Sequence, residues 1–277
     1  MSPIDFSGLV FLSSLLAGLL GALSGLGGGV VLVPVLTMFF HVDIRYAIGA
    51  SLISVIATSS GAAAAYVREG FSNVRIGMFL EVATTVGALL GAWLTAIVST
   101  PTIGFIFGLV LFYSAYASLK KKKSHGNKAP DLLACRLKLH GSFPGEHGQE
   151  SYVGRRVPAG FGLMFTAGTL SGLLGIGSGA VKVLAMDQAM GLPFKVSTTT
   201  SNFMIGVTAA ASAGIYLSRG YIVPALAMPV MLGVLAGSLA GSKLLIRARV
   251  RTLRLLFSLV IVALGAEMIW NSIAGKL

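Results

Sequence analysis

Two long apolar stretches of the chain, 6–40 and 159–190, are each cut in the middle by glycines. The first carries Ser24-Gly25-Leu26-Gly27-Gly28-Gly29 and the second Gly175-Ile176-Gly177-Ser178-Gly179. As one helix, 159–190 would be about 48 Å long at 1.5 Å per residue, against a bilayer hydrocarbon core of about 30 Å. A glycine costs about 1 kcal/mol relative to alanine inside a helix, so a cluster marks a break with an arm of helix on either side. The later arms, 30–40 and 179–190, are too short to cross a bilayer untilted. Both regions are therefore expected to be hairpins of broken helix that dip into a membrane.

A membrane is required by composition. Hydrophobic residues make up 55% of the 277, charged residues 11%, and mean hydropathy is +0.86. An average soluble domain carries about 25% charged residues, so this chain cannot cover a water-facing surface, which excludes a soluble enzyme or binding module. Disorder needs the opposite composition, poor in apolar and rich in charged residues. Six further stretches have crossing length, at 45–66, 77–97, 102–118, 197–217, 222–242 and 255–273.

The cations set the expected topology. With a hairpin at 6–40, the loops 67–76, 119–158, 191–196 and 243–254 fall on one side and hold two, nine, one and five of the 21 Lys/Arg. Cations accumulate on the cytoplasmic side of short loops, which places both termini outside and the 120–158 segment inside. If each hairpin region were instead a single crossing, Lys243, Arg247, Arg249, Arg251 and Arg254 would face away from Lys120 to Lys123. The net charge of +12 thus reads as topology and contact with anionic lipid headgroups near Lys120–Lys123, with no nucleic-acid partner. The opening Met1–Phe6 carries no cation, so a cleavable signal is not expected.

Adding 150 to a position in the first half reaches its counterpart in the second. Gly25, Gly27 and Gly29 become Gly175, Gly177 and Gly179; Ser51 becomes Ser201; Thr58 becomes Thr208; Tyr66 becomes Tyr216; and Gly87-xxx-Gly91 becomes Gly237-xxx-Gly241. Each half then holds a hairpin and three crossings, an odd number, so the two halves are expected to insert with opposite sense. Secondary transporters are built this way, with discontinuous helices meeting near the midplane. The second arms would present their N-termini at Gly28-Gly29 and Ser178-Gly179, where free N–H groups favour an anion. Lys182 follows one turn later, and hydroxyls lie on the next helices: Ser51 and Ser54 in one half, Ser197 to Asn202 in the other.

The frame Ser24-Gly-Leu-Gly-Gly-Gly-Val-Val-Leu-Val-Pro34, its second copy from Gly175 to Lys182, and Thr200-Ser-Asn-Phe-Met-Ile-Gly206 resemble the TauE/SafE sulfite and sulfonate exporter family. The resemblance covers both membrane halves and is weakest over 120–158. It implies export of a small sulfur-containing anion, with substrate bound by Ser24, Gly25, Gly27, Gly28, Gly29, Ser51, Gly175, Gly177, Ser178, Gly179, Lys182, Thr200, Ser201 and Asn202. The chain departs from the repeat with Ser178 opposite Gly28 and Leu184 opposite Pro34.

Other readings of these residues stay open. The glycine loops could be packing points, the Ser197–Asn202 hydroxyls could bond to their own helix, and Lys182 could snorkel or pair with Asp187. Glu81, about one turn into its expected span, is a candidate for proton coupling or a partner for Arg75 or Arg68. The four histidines lie in loops, the single Cys135 supports neither disulfide nor metal site, and no P-loop is present, so no metal, cofactor or ATP hydrolysis is expected. Leu137-x-Leu139 and Tyr152-Val153 around Pro144-Gly145 hint at a small β-hairpin.

The expected fold is an all-α polytopic membrane protein of two inverted repeats, each a broken-helix hairpin plus three transmembrane helices. Repeat 1 spans 1–119, a cytoplasmic linker 120–158, and repeat 2 159–277. The expected function is a secondary transporter in the inner cell membrane that exports sulfite or an organosulfonate by alternating access. The alternative is a membrane-embedded enzyme or subunit acting on a lipid or sulfur compound.

Overall fold

The computed structural model describes residues 3–24, 28–68, 72–119, 131–145, 148–245 and 250–275. Gly25, Gly27 and Lys120–Lys123 lie outside them. The first half runs α1 (Pro3–Ser24), α2 (Gly29–Phe39), α3 (Ile44–Arg68), α4 (Val74–Leu94) and α5 (Thr100–Leu119). A short α6 (Leu132–Arg136) and a two-stranded antiparallel sheet follow, β1 (His140–Gly145) and β2 (Gly148–Val153). The second half runs α7 (Val157–Leu174), α8 (Gly179–Leu184) continued by a π turn (Ala185–Ala189), α9 (Phe194–Ser218), α10 (Pro224–Leu245) and α11 (Val250–Ile273).

The second apolar stretch is interrupted at its glycines, α7 ending at Leu174 and α8 beginning at Gly179; the corresponding Gly25–Gly27 of the first lie outside the described residues, between α1 and α2 in the chain. The start of each second-half helix from α8 to α11 lies 150 positions beyond that of its counterpart: Gly29 and Gly179, Ile44 and Phe194, Val74 and Pro224, Thr100 and Val250. The hairpin strands begin at His140, so Leu137 and Leu139 precede the sheet instead of belonging to it. Leu139 is held because its N–H donates to Ala134 O and its own carbonyl accepts from Gly154 N.

α4 shows how the chain is solvated. Its exposed positions are Met78, Val82, Val86, Leu89 and Trp93, while Glu81, Thr84, Gly87, Ala88 and Gly91 are buried. A soluble helix puts its charge outward; this one does the reverse, as a lipid-facing helix must. Among the described residues α4, α7 and the Pro224–Gly241 part of α10 are long and apolar enough to cross a membrane, and the other apolar helical windows are shorter.

Small residues let helices touch through their backbones. A Cβ on Gly87 would lie 2.2 Å from Phe165 O, and one on Gly237 would lie 2.0 Å from Leu15 O. Gly168 meets Thr84 O at 2.1 Å and Gly18 meets Val234 O at 2.4 Å in the same sense. Subtracting 150 from the α7 members and adding 150 to the α4 members converts the α4–α7 contacts into the α1–α10 contacts, so both packings use one rule.

The central pair is α3 and α9, and it runs antiparallel. Tyr46 near the start of α3 stacks edge-on against Tyr221 just past the end of α9, with ring centroids 5.6 Å apart. Further along, Gly206 of α9 sits against Ser59 of α3. Since α2 leads directly into the start of α3 and the α8–π arm into the start of α9, the two short arms end at opposite ends of this pair.

The two arginines that fall outside the basic loop cluster, Arg45 and Arg219, bond carbonyls at and just past the end of α4. Arg219 Nη1 donates to Ala92 O (2.9 Å) and Trp93 O (3.2 Å), and Arg45 Nη2 donates to Val98 O (3.3 Å). The last carbonyls of α4 lack intrahelical partners, and a cation there also meets the negative end of the helix dipole. Arg219→Met is expected to lower stability by about 1–2 kcal/mol, read as a lower midpoint of thermal unfolding in detergent. An unchanged midpoint would show that lipid-side water serves those carbonyls equally well.

Candidate functional site

The start of α2 meets the second break. Gly29, the first residue of α2, lies against the second break: a Cβ there would be 3.1 Å from Gly175 O and 2.6 Å from Ser51 Oγ. Ser51 Oγ itself donates to Gly175 O at 2.8 Å, so α3 is tied to the second break by a buried hydrogen bond. Val55 and Ile205, near the middle of α3 and α9, close the same space: Val55 contacts the Cβ positions of Gly29 and Gly177, Ile205 those of Gly177 and Gly179. A crevice beside the junction is lined by Val30, Val110, Ser114, Ile176, Ser178, Gly179 and Val181.

The second break is built from left-handed residues. Gly175 (φ 67°), Gly177 (φ 68°) and Ser178 (φ 44°) all have positive φ. Glycine takes that conformation freely, whereas a serine pays roughly 1–2 kcal/mol. Ser178 recovers part of this through Oγ, which donates to Ala167 O at 2.6 Å. Its hydroxyl is thereby committed to α7, leaving its backbone as what faces the break. Tyr216 closes the end of α7, its hydroxyl 2.8 Å from Thr95 Oγ1 and 3.0 Å from Gly172 O.

Lys182 is fully buried, at 0% exposure. Helical side chains lean toward the N-terminus of their helix, so its ammonium reaches back toward the break. There Nζ donates to Thr208 Oγ1 at 2.5 Å, and that hydroxyl lies 2.7 Å from Glu81 Oε1, with Met204 O at 2.9 Å as its other acceptor. Thr85 Oγ1 also donates to Glu81 Oε1 (3.2 Å). Glu81 is 5% exposed, and its second oxygen, Oε2, is buried with no hydrogen-bond partner among the described residues. Lys182 and Glu81 attract each other across the threonine. Glu81 lies about two turns into α4, deeper than the sequence suggested, because the helix begins at Val74. Among the described residues its side-chain partners are Thr208 on α9 and Thr85 on α4, with Lys182 bonded to the same Thr208; the side chain of Arg68 lies outside the described residues.

The remaining expected residues divide. Ser201 Oγ lies 3.4 Å from Gly179 O, beside the break. Thr200 Oγ1 accepts from Asn73 N (3.0 Å) at the entrance of α4, away from the glycines. Thr198 and Thr199 bond back to carbonyls of their own helix, and Ser197 Oγ is buried without a partner. Asn202 is half-buried on the same helix. Ser24 ends α1, and Gly28 is its neighbour across Gly25–Gly27 in the chain. Thr208 was missed; its one signal was its place opposite Thr58 in the repeat.

Asn73 joins this site to the β1–β2 hairpin. Its Oδ1 caps α4 by accepting from Ile76 N (3.0 Å), its N–H donates to Thr200, and its Nδ2 donates to Tyr152 Oη at 2.8 Å. Burial holds the Tyr152 phenol above its usual range, against the opposing pull of the Asn73 bond, so it stays neutral at physiological pH. Tyr152→Phe is expected to loosen the hairpin by about 1 kcal/mol, seen as several-fold faster proteolysis within 131–153. Unchanged cleavage would mean that Phe143, Leu139 and their neighbours hold the sheet alone.

A buried backbone break, lipid-facing helices and a Lys182–Thr208–Glu81 hydrogen-bonded chain deep among them fit a membrane transport protein. The chain belongs to the TauE/SafE family: the family described as "Sulfite exporter TauE/SafE" matches residues 10–268. Among its relatives, the probable membrane transporter protein YunE of Bacillus subtilis is 26% identical over 94% of this chain and 96% of its own. YdhB of the same organism, also a probable membrane transporter protein, is 27% identical over 85% and 89%. A probable membrane transporter protein of Xylella fastidiosa is 25% identical over 91% and 90%. No solved structure matches the chain. These relatives are named as transporters, not enzymes, and the embedded-enzyme alternative falls.

Proposed function

We infer that this transporter exports a small sulfur-containing anion, sulfite or an organosulfonate, across the inner cell membrane by alternating access between two inverted repeats. The observation that carries it is the junction of Gly29, Ser51 and Gly175, with the buried Lys182 one turn into the arm that begins at Gly179. Irregular backbone survives at membrane depth only inside protein or along a cavity, and this reading takes the junction and the Lys182 ammonium as one anion site. The antiparallel α3–α9 pair, with the two short arms ending at opposite ends of it, supports entry of the hairpins from opposite faces. The exchange of α4–α7 contacts for α1–α10 contacts supports a two-fold relation between the halves. In this reading the chain is multi-pass, its termini are outside, and its basic 120–158 segment lies at the anionic inner leaflet.

The anion contacts are Gly28, Gly29, Ser51, Gly175, Gly177, the Ser178 backbone, Gly179, Lys182 and Ser201, with Thr200 and Asn202 at the margin; Ser24, Gly25 and Gly27 are assigned to the site from the family resemblance alone. Ser51 must release Gly175 O to face substrate, so loading and loosening of the junction go together. The test is sulfite and sulfonate flux into proteoliposomes. Saturable uptake absent from empty vesicles is expected; indifference to both anions would remove the substrate assignment.

A further inference from the structure

The buried pair belongs to one half only. Counting back 150 from Lys182 and Thr208 gives Leu32 and Thr58, and counting forward from Glu81 gives Met231. Leu32 is fully buried, and Thr58 bonds to carbonyls of its own helix (Ser54 O at 3.0 Å). The scaffold therefore does not need two buried charges for packing, since the equivalent positions hold Leu32 and Met231 around a threonine that bonds its own helix. The arrangement also has an open valence. Glu81 Oε1 takes the bonds of Thr208 and Thr85, whereas Oε2 is buried and unpartnered.

Charge decides what this chain can do. With ammonium and carboxylate both ionised, the pair is neutral overall. An anion that claims Lys182 leaves one excess negative charge buried at membrane depth, where isolated charge is expensive. Protonation of Oε2 removes it: a proton from the aqueous phase to which the site is open forms the O–H bond, the anion takes the ammonium, and the site is neutral again. On the other side the anion leaves, the O–H bond breaks, the proton passes to water, and Lys182 pairs again with Glu81 across Thr208. The groups facing Glu81 permit this. The neighbouring α7 contains no titratable residue, and α9 has Lys195 near its start and Tyr216 near its end. On α4 itself Arg75 lies at the helix start, and on the α8–π arm Asp187 lies beyond Lys182, further from the break.

We propose that Glu81 is the proton site of this transporter and that one monovalent sulfonate crosses with one proton, making transport electroneutral. This rests on the anion-transport reading above. Export then follows the outward gradient of anion and proton together, and the membrane potential supplies no drive.

The experiment uses full-length protein in liposomes with a lumenal pH dye, valinomycin to clamp the potential, and two probes, sulfite and methanesulfonate. Methanesulfonate carries no titratable proton of its own. The expected result is its entry with one-for-one lumenal acidification and accumulation indifferent to a 100 mV clamp. Glu81→Gln should abolish the acidification and make accumulation follow potential, up to roughly 50-fold per 100 mV for one charge. Thr58→Val should behave as wild type. Entry of methanesulfonate by wild-type protein without acidification, with accumulation tracking potential, overturns the coupling while leaving anion transport intact. Entry of sulfite alone overturns the monovalent-sulfonate assignment, and entry of neither removes the transport reading and the coupling together.

Discussion

Lys182→Met is expected to cost about 3–5 kcal/mol of stability and to reduce anion flux by at least roughly 30-fold. The stability loss comes from Glu81, which stays buried at 5% exposure and loses the cation that balances it. The flux loss follows from removing a charged hydrogen bond to substrate, about 2–3 kcal/mol, at tenfold per 1.4 kcal/mol. Combining it with Glu81→Gln separates the two effects. Removing both charges of a buried pair is close to neutral for folding, so the double variant should regain most of its thermal midpoint and still fail to transport. A double variant as unstable as the single one would show that Lys182 is needed for packing. Restored flux would remove it from the anion site.

The second large effect belongs to the helix contacts. Gly87→Leu and Gly237→Leu each push a side chain into a backbone carbonyl that would lie 2.2 Å and 2.0 Å from the new Cβ, respectively. A carbonyl inside a helix cannot rotate away, so α4 must part from α7, or α10 from α1. Overpacking a core commonly costs 1–3 kcal/mol; with backbone on the receiving side, about 4 kcal/mol or more is expected, seen as loss of the monodisperse species after detergent extraction. Because the two contacts are equivalent under the 150-residue shift, their effects should agree within about 1 kcal/mol. Gly214→Ala is the contrast: nothing lies within 4 Å of its Cβ position, and a helical glycine replaced by alanine should gain about 0.5–1 kcal/mol. A tolerated Gly87→Leu would mean that the α4–α7 spacing is not set by this glycine.

The broken hairpins were legible because glycine clusters act locally. Gly175–Gly179 stop α7, and the 150-residue shift carries the starts of α2 to α5 onto those of α8 to α11. The cations were legible only in bulk. Arg45 and Arg219 counted as exceptions to a topological rule, whereas their guanidinium groups donate to carbonyls at and just past the end of α4. The polar site was half legible. Lys182 and Glu81 stood out as charges at membrane depth, but their link runs through Thr208, 26 positions from one and 127 from the other. A threonine in a helix ordinarily bonds its own turn, as Thr58 does, and nothing local marks the one that also bridges two ions. Ser178 shows the converse. Its hydroxyl looked available at a helix start, and the left-handed backbone turns it onto Ala167 O. The π turn at Ala185–Ala189 had no sequence signal that periodicity could read.

Diffraction from crystals soaked with selenite, a heavier oxyanion of the same shape as sulfite, tests the meeting of the two breaks most directly. Anomalous density between Gly29, Gly175 and the Lys182 ammonium, with Ser51 Oγ turned away from Gly175 O, is the result this account predicts. Selenite bound only at the basic inner surface, with Ser51 still bonded to Gly175, would contradict it.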